Sequence, residues 1–269
     1  MTTQTVIITG ASRGLGATTA RLTAQLGANV VLVARSADEL AEVAQGIQAA
    51  GGRAQAVTGD VSQPADCQRV AAAAVEAFGQ VDALLNCASV LTPLSPIADG
   101  EPEVWEGAWT VNVLAPVLMV QAALPYLKQR QGTVINISSG AAVSVIPGWA
   151  AYSTAKAALN HFTRALAVEE PSITTIAFRP GVLDTALRAS MRHDGVDGAV
   201  EELDAGLLGY DDEGELPPEV PGCALAVLAL YAPHEWSGSF LPWNHEEIQS
   251  LVRRFGCPPG KPSGEGRHT

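Results

Sequence analysis

Short runs rich in β-branched residues, at 5–9, 29–34, 54–58, 83–86, 133–138 and 173–178, are separated by longer Ala-rich stretches. That alternation leaves few folds open. Strands that take turns with helices join as βαβ units, and repeated units give a parallel sheet covered on both faces. The spacing predicts helices over about 15–26, 37–50, 64–78, 103–128 and 150–169. Pro116 and Pro125 are expected to kink or divide the fourth, since a proline ring meets the carbonyl four residues back. A last helix, about 222–231, and a short strand near Phe240 close the sheet. The expected architecture is α/β, a single-domain doubly wound Rossmann-type parallel sheet over residues 1–257.

Two segments fall outside the pattern. Residues 185–221 are rich in Gly and Asp, with scattered apolar positions such as Leu187 and Met191, and are expected to form a lid over a substrate pocket. Residues 258–269 are expected to be a mobile tail.

Composition narrows the partners. The chain is 47% hydrophobic and 16% charged, so it can bury a large core, and with 5% aromatic residues that core falls to Ala, Val and Leu. A net charge of -12 argues against a nucleic-acid or anionic-membrane surface, and an anionic ligand would need local basic residues. Cys67, Cys87, Cys223 and Cys257 include no CxxC pair, and the five histidines show no ligand spacing. We therefore expect no metal, no disulfide framework and a reducing compartment. No charged-then-apolar leader opens the chain and no apolar run approaches a membrane span, so a cytoplasmic protein is expected.

The first strand-to-helix joint reads Thr9-Gly10-Ala11-Ser12-Arg13-Gly14-Leu15-Gly16. Glycines here permit a tight turn and let the backbone N–H groups of a helix N-terminus approach a pyrophosphate. About twenty residues on, where an acidic residue would meet ribose hydroxyls, the chain has Arg35 and Ser36. With Arg13, Arg35 is placed to grip a 2′-phosphate, which points to NADP(H) in preference to NAD(H). The alternative for Arg35 is a solvated loop residue.

Tyr152 and Lys156, four residues apart, share one face of a helix, and Ser139 falls at a strand end. Such a trio suits proton transfer. The Lys cation favours the phenolate and lowers the Tyr152 pKa toward the working pH, while Ser139 holds a carbonyl oxygen within reach. Asn112, a poor residue for a helix interior, marks either a local distortion that holds a water or a polar bond to a neighbouring loop. Trp149 is open between a pocket wall and packing, and Trp105 and Trp109 read as packing or subunit-interface residues.

Together these motifs resemble the short-chain dehydrogenase/reductase family, single-domain type, over about residues 6–240. The resemblance implies hydride transfer to or from a small-molecule carbonyl substrate, with Ser139, Tyr152, Lys156 and Asn112 as the catalytic group. It places Asp60 by the adenine with Val61 beside it, and Asn86 and Ala88 beside the cofactor. Pro180, Gly181 and Thr185 would shape the nicotinamide pocket, with the Val182 backbone on the carboxamide. A helix-mediated homodimer or homotetramer is also implied. One departure stands out: Asn86-Cys87-Ala88-Ser89 occupies the place of Asn-Asn-Ala-Gly. Residues 168–171, 179–185 and 240–244 are most similar to the sepiapterin reductase and benzil reductase branch.

The apolar walls expected at Val90 and Trp149, and in the lid at Leu187 and Met191, suit a neutral, hydrophobic ketone or diketone. Acidic lid residues would disfavour anionic substrates, unless they are simply solvated. The expected activity is NADPH-dependent carbonyl reduction. The alternatives are an alcohol dehydrogenase working in the oxidative direction and a non-catalytic NADP-binding sensor protein.

Overall fold

The computed structural model describes residues 3–91, 94–183 and 216–256. Seven strands form one sheet in the order β3-β2-β1-β4-β5-β6-β7, every neighbouring pair parallel. They are β1 (Thr5–Thr9), β2 (Asn29–Ala34), β3 (Arg53–Thr58), β4 (Ala83–Asn86), β5 (Thr133–Ile137), β6 (Thr174–Arg179) and β7 (Ser239–Pro242). The helices are α1 (Gly14–Gln25), α2 (Ala37–Ala49), α3 (Pro64–Phe78), α4 (Pro102–Trp109), α5 (Ala115–Arg130), α6 (Ala150–Glu169), α7 (Glu219–Tyr231) and α8 (Glu246–Phe255).

The strands read as nearly unbroken apolar runs because both faces are covered. Val6, Ile8, Val30 and Leu32 enter a core shared with Leu225 and Leu228 of α7. Ile7, Val31 and Val33 enter the opposite core, with Val70 of α3 and Met119 and Leu127 of α5. The alternation within each strand is the period-two geometry of a pleated chain.

The fourth predicted helix is interrupted, but not at a proline. A π turn, Thr110–Leu114, joins α4 to α5. Pro116 lacks the N–H that would reach the Asn112 carbonyl, and its ring would crowd that oxygen, so the wider turn forms one step upstream. Pro125 lies inside α5, which continues to Arg130. The stretch Pro102–Arg130 spans 29 residues and is long and apolar enough to cross a bilayer by length and composition, contrary to the expectation of no such run. It packs against α3, β4 and β5, as a core helix does.

Three further expectations are corrected. Helix α7 starts at Glu219, so residues 219–221, assigned to the lid, belong to a helix. Helix α8 was not expected; Ile248 anchors it, and its Phe255 ring stacks on Tyr231 at 3.8 Å. Cys223 is disulfide-bonded, contrary to the expectation of no disulfide framework. Disulfide pairing depends on a Cα separation of about 4.4–6.8 Å, which spacing in the chain does not reveal. The expected tail, 258–269, lies outside the described residues.

Candidate active site

The order of the sheet reverses between β1 and β4, and the crevice beyond their carboxyl ends is where an open α/β sheet takes a ligand. A cleft of about 690 Å³ opens there. Gly10, Ser12, Arg13, Gly14, Leu15 and Gly16 line it from the β1–α1 joint. Gly10 has φ +64°, and a Cβ on it would lie 2.9 Å from the Ala88 backbone; a Cβ on Gly16 would strike the Gly10 carbonyl oxygen. Only glycine fits this close approach. The N-cap of α1, Arg13, makes no side-chain capping bond, so first-turn N–H groups are left to the cleft. That geometry fits a pyrophosphate held by a helix N-terminus.

Farther along, Arg35 and Ser36 line the cleft at the end of β2, and Asp60 and Val61 line it after β3. Ser36 caps α2 without a side-chain bond, so its hydroxyl is not spent on the helix. Asp60 is held by its own turn: its Oδ1 accepts from the Ser62 N–H at 2.9 Å and the Ser62 hydroxyl at 2.7 Å. Glu39 also lines this end and escaped the sequence reading. The signal was the Ser-x-x-Glu spacing from Ser36, which normally marks a capping box and here leaves the carboxylate facing the cleft.

At the other end, Ser139, Tyr152 and Lys156 meet. Ser139 follows β5, and its hydroxyl accepts from the Ala141 N–H at 3.2 Å, keeping its own proton free to donate. Tyr152 and Lys156 lie on successive turns of α6, and both are buried. The Lys156 Nζ donates to the Ile137 carbonyl at 2.8 Å and stands 5.5 Å from the Tyr152 ring centroid. Trp149 settles both of its open roles. It meets the Tyr152 ring edge-on at 5.8 Å and lines the cleft, as do Val90 and Ala88. Pro180, Gly181 and Val182 line it from the end of β6.

The expected lowering of the Tyr152 pKa is reversed. Burial pushes the phenol up to about 12, while hydrogen bonds from Ser139 and Ser89 oppose that rise. Burial also lowers Lys156 to about 7, so the cation that was to favour the phenolate is itself destabilised. Cys87, beside Lys156, is pushed up to about 12 by burial and stays a thiol at neutral pH.

Two residues assigned to the site do not line the cleft. Asn86 is buried in β4, where its Nδ2 donates to Asn136 Oδ1 at 2.9 Å; Asn136 in turn donates to Thr163 of α6 at 2.9 Å. The pair ties the sheet to the helix that carries Tyr152. Asn112 is fully buried in the π turn, where its amide bonds Val90 and Ser89. The π turn is the expected local distortion, and the bonds to Val90 and Ser89 are the expected polar contact with a neighbouring loop. Thr185, Leu187 and Met191 lie outside the described residues.

Residues 4–195 match the family model of short chain dehydrogenases, and the chain belongs to that family. It is therefore an NAD(P)-dependent oxidoreductase acting on CH–OH and C=O groups. It is 31% identical to the benzil reductase ((S)-benzoin forming) of Saccharomyces cerevisiae over 90% of this chain and 97% of that protein. A short-chain dehydrogenase/reductase crystal structure from the same yeast aligns with TM-score 0.84 and 30% identity, covering 92% of this chain and 99% of that one. An alcohol dehydrogenase of Thermococcus sibiricus, solved with 5-hydroxy-NADP, aligns with TM-score 0.75 and 26% identity over 89% and 95% of the two chains.

Proposed function

We propose that this protein is an NADPH-dependent carbonyl reductase for neutral, hydrophobic ketones or diketones. The observation that carries the reading is one cleft with the Tyr152 and Ser139 hydroxyls at one end and the Arg13 and Arg35 guanidinium groups at the other. A nicotinamide held in the cleft would supply the hydride and, once oxidised, a positive charge. Ser139 donates to the substrate oxygen and holds it within reach of Tyr152. Tyr152 gives its proton to that oxygen, and its burial keeps the proton in place at neutral pH until then. Lys156 fixes the end of β5 through Ile137, and the phenolate that results draws it back to the charged form that burial disfavours. Arg13 and Arg35 bind the 2′-phosphate, and Val90, Leu91 and Trp149 form apolar walls at the substrate end. The yeast relative that reduces benzil supports a diketone-type substrate.

The test follows NADPH absorbance against neutral 1,2-diketones and aryl ketones, with NADH run in parallel. Tyr152→Phe is expected to cut turnover at least about 100-fold while calorimetry shows unchanged NADPH affinity. Turnover that survives the substitution overturns Tyr152 as the acid. Equal kcat/KM with NADH overturns the assignment of Arg13 and Arg35.

A further inference from the structure

Charges of both signs line the end of the cleft that carries Arg35. Arg13 and Arg35 stand there, and so do Glu39 and Asp60. The two acids differ in what they have left to offer. Asp60 is tied into its own turn, where its Oδ1 accepts from both the N–H and the hydroxyl of Ser62. Glu39 has no such tie: among the described residues, no hydrogen bond or ion pair occupies its side chain or those of Arg13, Arg35 and Ser36.

Helix α2 fixes where that carboxylate can reach. Leu40, the next residue, is fully buried, and Val43 and Ile47 follow it into the core, so the first turn is seated on the sheet. Glu39 is the third residue of the helix and is exposed. From that position a glutamate spans back to the N-cap residue, the reach that closes a capping box. Ser36 is that residue; it lines the cleft, and neither bond of the box is made. The Glu39 carboxylate is therefore within reach of a group that lies over Ser36.

We propose that Glu39 is a specificity-determining residue that opposes a 2′-phosphate and accepts from the 2′-hydroxyl of a cofactor without one, so that the cleft keeps NAD(H) as a second cofactor. The inference rests on the reading of this end of the cleft as the adenosine end. A carboxylate and a phosphate both offer acceptors and negative charge, so they repel, whereas a ribose hydroxyl has a proton to give. A guanidinium has only donors and favours the phosphate. An acid that meets ribose hydroxyls ordinarily stands just after the second strand. Here Arg35 holds that place, and the acid stands one helical turn farther on. Arg35 and Glu39 thus pull selectivity in opposite directions, and the preference for NADPH is the difference between them.

The test is calorimetry on cofactor-free protein with 2′,5′-ADP and 5′-AMP, which differ only in the 2′-phosphate. Wild type is compared with Glu39→Gln, Glu39→Ala and Arg35→Gln. Both Glu39 variants are expected to bind 2′,5′-ADP about fivefold tighter and 5′-AMP about fivefold weaker, the size of one exposed charge contact. Alanine offers no amide to the phosphate, so its gain reports lost repulsion, and added salt should shrink that gain. The ratio of kcat/KM with NADPH to that with NADH should rise in step. A merely structural role would move both fragments the same way. Unchanged affinities, or changes of one sign, in variants with wild-type circular dichroism would overturn the proposal. If Arg35→Gln binds 2′,5′-ADP as tightly as wild type does, the phosphate assignment of Arg35 fails, and the 5′-AMP affinities still decide Glu39. Binding of neither fragment to wild type would overturn the adenosine reading and the proposal together.

Discussion

Lys156 is 2% exposed, and among the described residues its ammonium donates one hydrogen bond, to the Ile137 carbonyl. Its pKa falls from 10.5 to about 7 because burial penalises the charged form. In the unfolded chain the same lysine keeps its proton to about 10.5. Between those values the unfolded state binds more protons than the folded state, so stability rises with pH across the window. Tyr152, raised from 10.0 to about 12, and Cys87, raised from 9.0 to about 12, work the other way, but only above about pH 9. Between pH 7 and 9 the Lys156 contribution is therefore unopposed by them. Relative to Lys156→Met, which removes the charge and keeps most of the volume, wild type should gain up to about 1.4 kcal/mol per pH unit over that interval in urea unfolding. Parallel pH dependence in the two proteins would mean that the folded state retains the Lys156 proton.

At the scale of elements, the β1–α1 joint lines the cleft at the end proposed for the cofactor. A methyl group on Gly16 meets backbone oxygen rather than a movable side chain, so the turn must open to accept it. Gly16→Ala should lower NADPH affinity at least about tenfold by calorimetry, since the first-turn N–H groups lose their alignment. Unchanged affinity would show that the joint is not the phosphate site. This joint was legible in the sequence because strand, glycines and helix are contiguous. The π turn was legible only in part. Asn112 and Pro116 signalled a disturbance, but its form depends on the Val90 loop, to which Asn112 is bonded across 22 residues. Helix α8 left a weaker signal still. It is short and mostly polar outside, and the contact that seats it, Phe255 on Tyr231, forms only once α7 is in place.

For the molecule as a whole, large apolar side chains stand exposed on helices that follow β4 and β5. Trp109 is 40% exposed at the end of α4, Leu114 is 46% exposed in the π turn, and Val168 is 81% exposed near the end of α6. Helices α4 and α6 are in contact. Large apolar side chains left in water on adjoining helices suit burial against a second copy. Light scattering should give a twofold or fourfold multiple of the 27.9 kDa chain, with Val168→Glu shifting it downward. A monomeric wild type would reject a helix-mediated homodimer or homotetramer.

The architecture and the proposed catalytic pair were written locally. A pleated strand repeats every two residues, a helix face every three or four, and Tyr152 and Lys156 lie within one such face, so neighbours in the chain were neighbours in space. The Gly10–Gly16 turn likewise needed no distant partner to be read. Other features joined residues that the chain keeps apart. Ser89 reaches Asn112 across 23 positions and Asn86 reaches Asn136 across 50, and the disulfide at Cys223 also required the fold to bring sulfurs together. The raised pKa of Tyr152 and the lowered pKa of Lys156 belong to the same group. The sequence supplied their charges and spacing, but the loss of surrounding water that dominates their titration exists only when strands, helices and loops close over them.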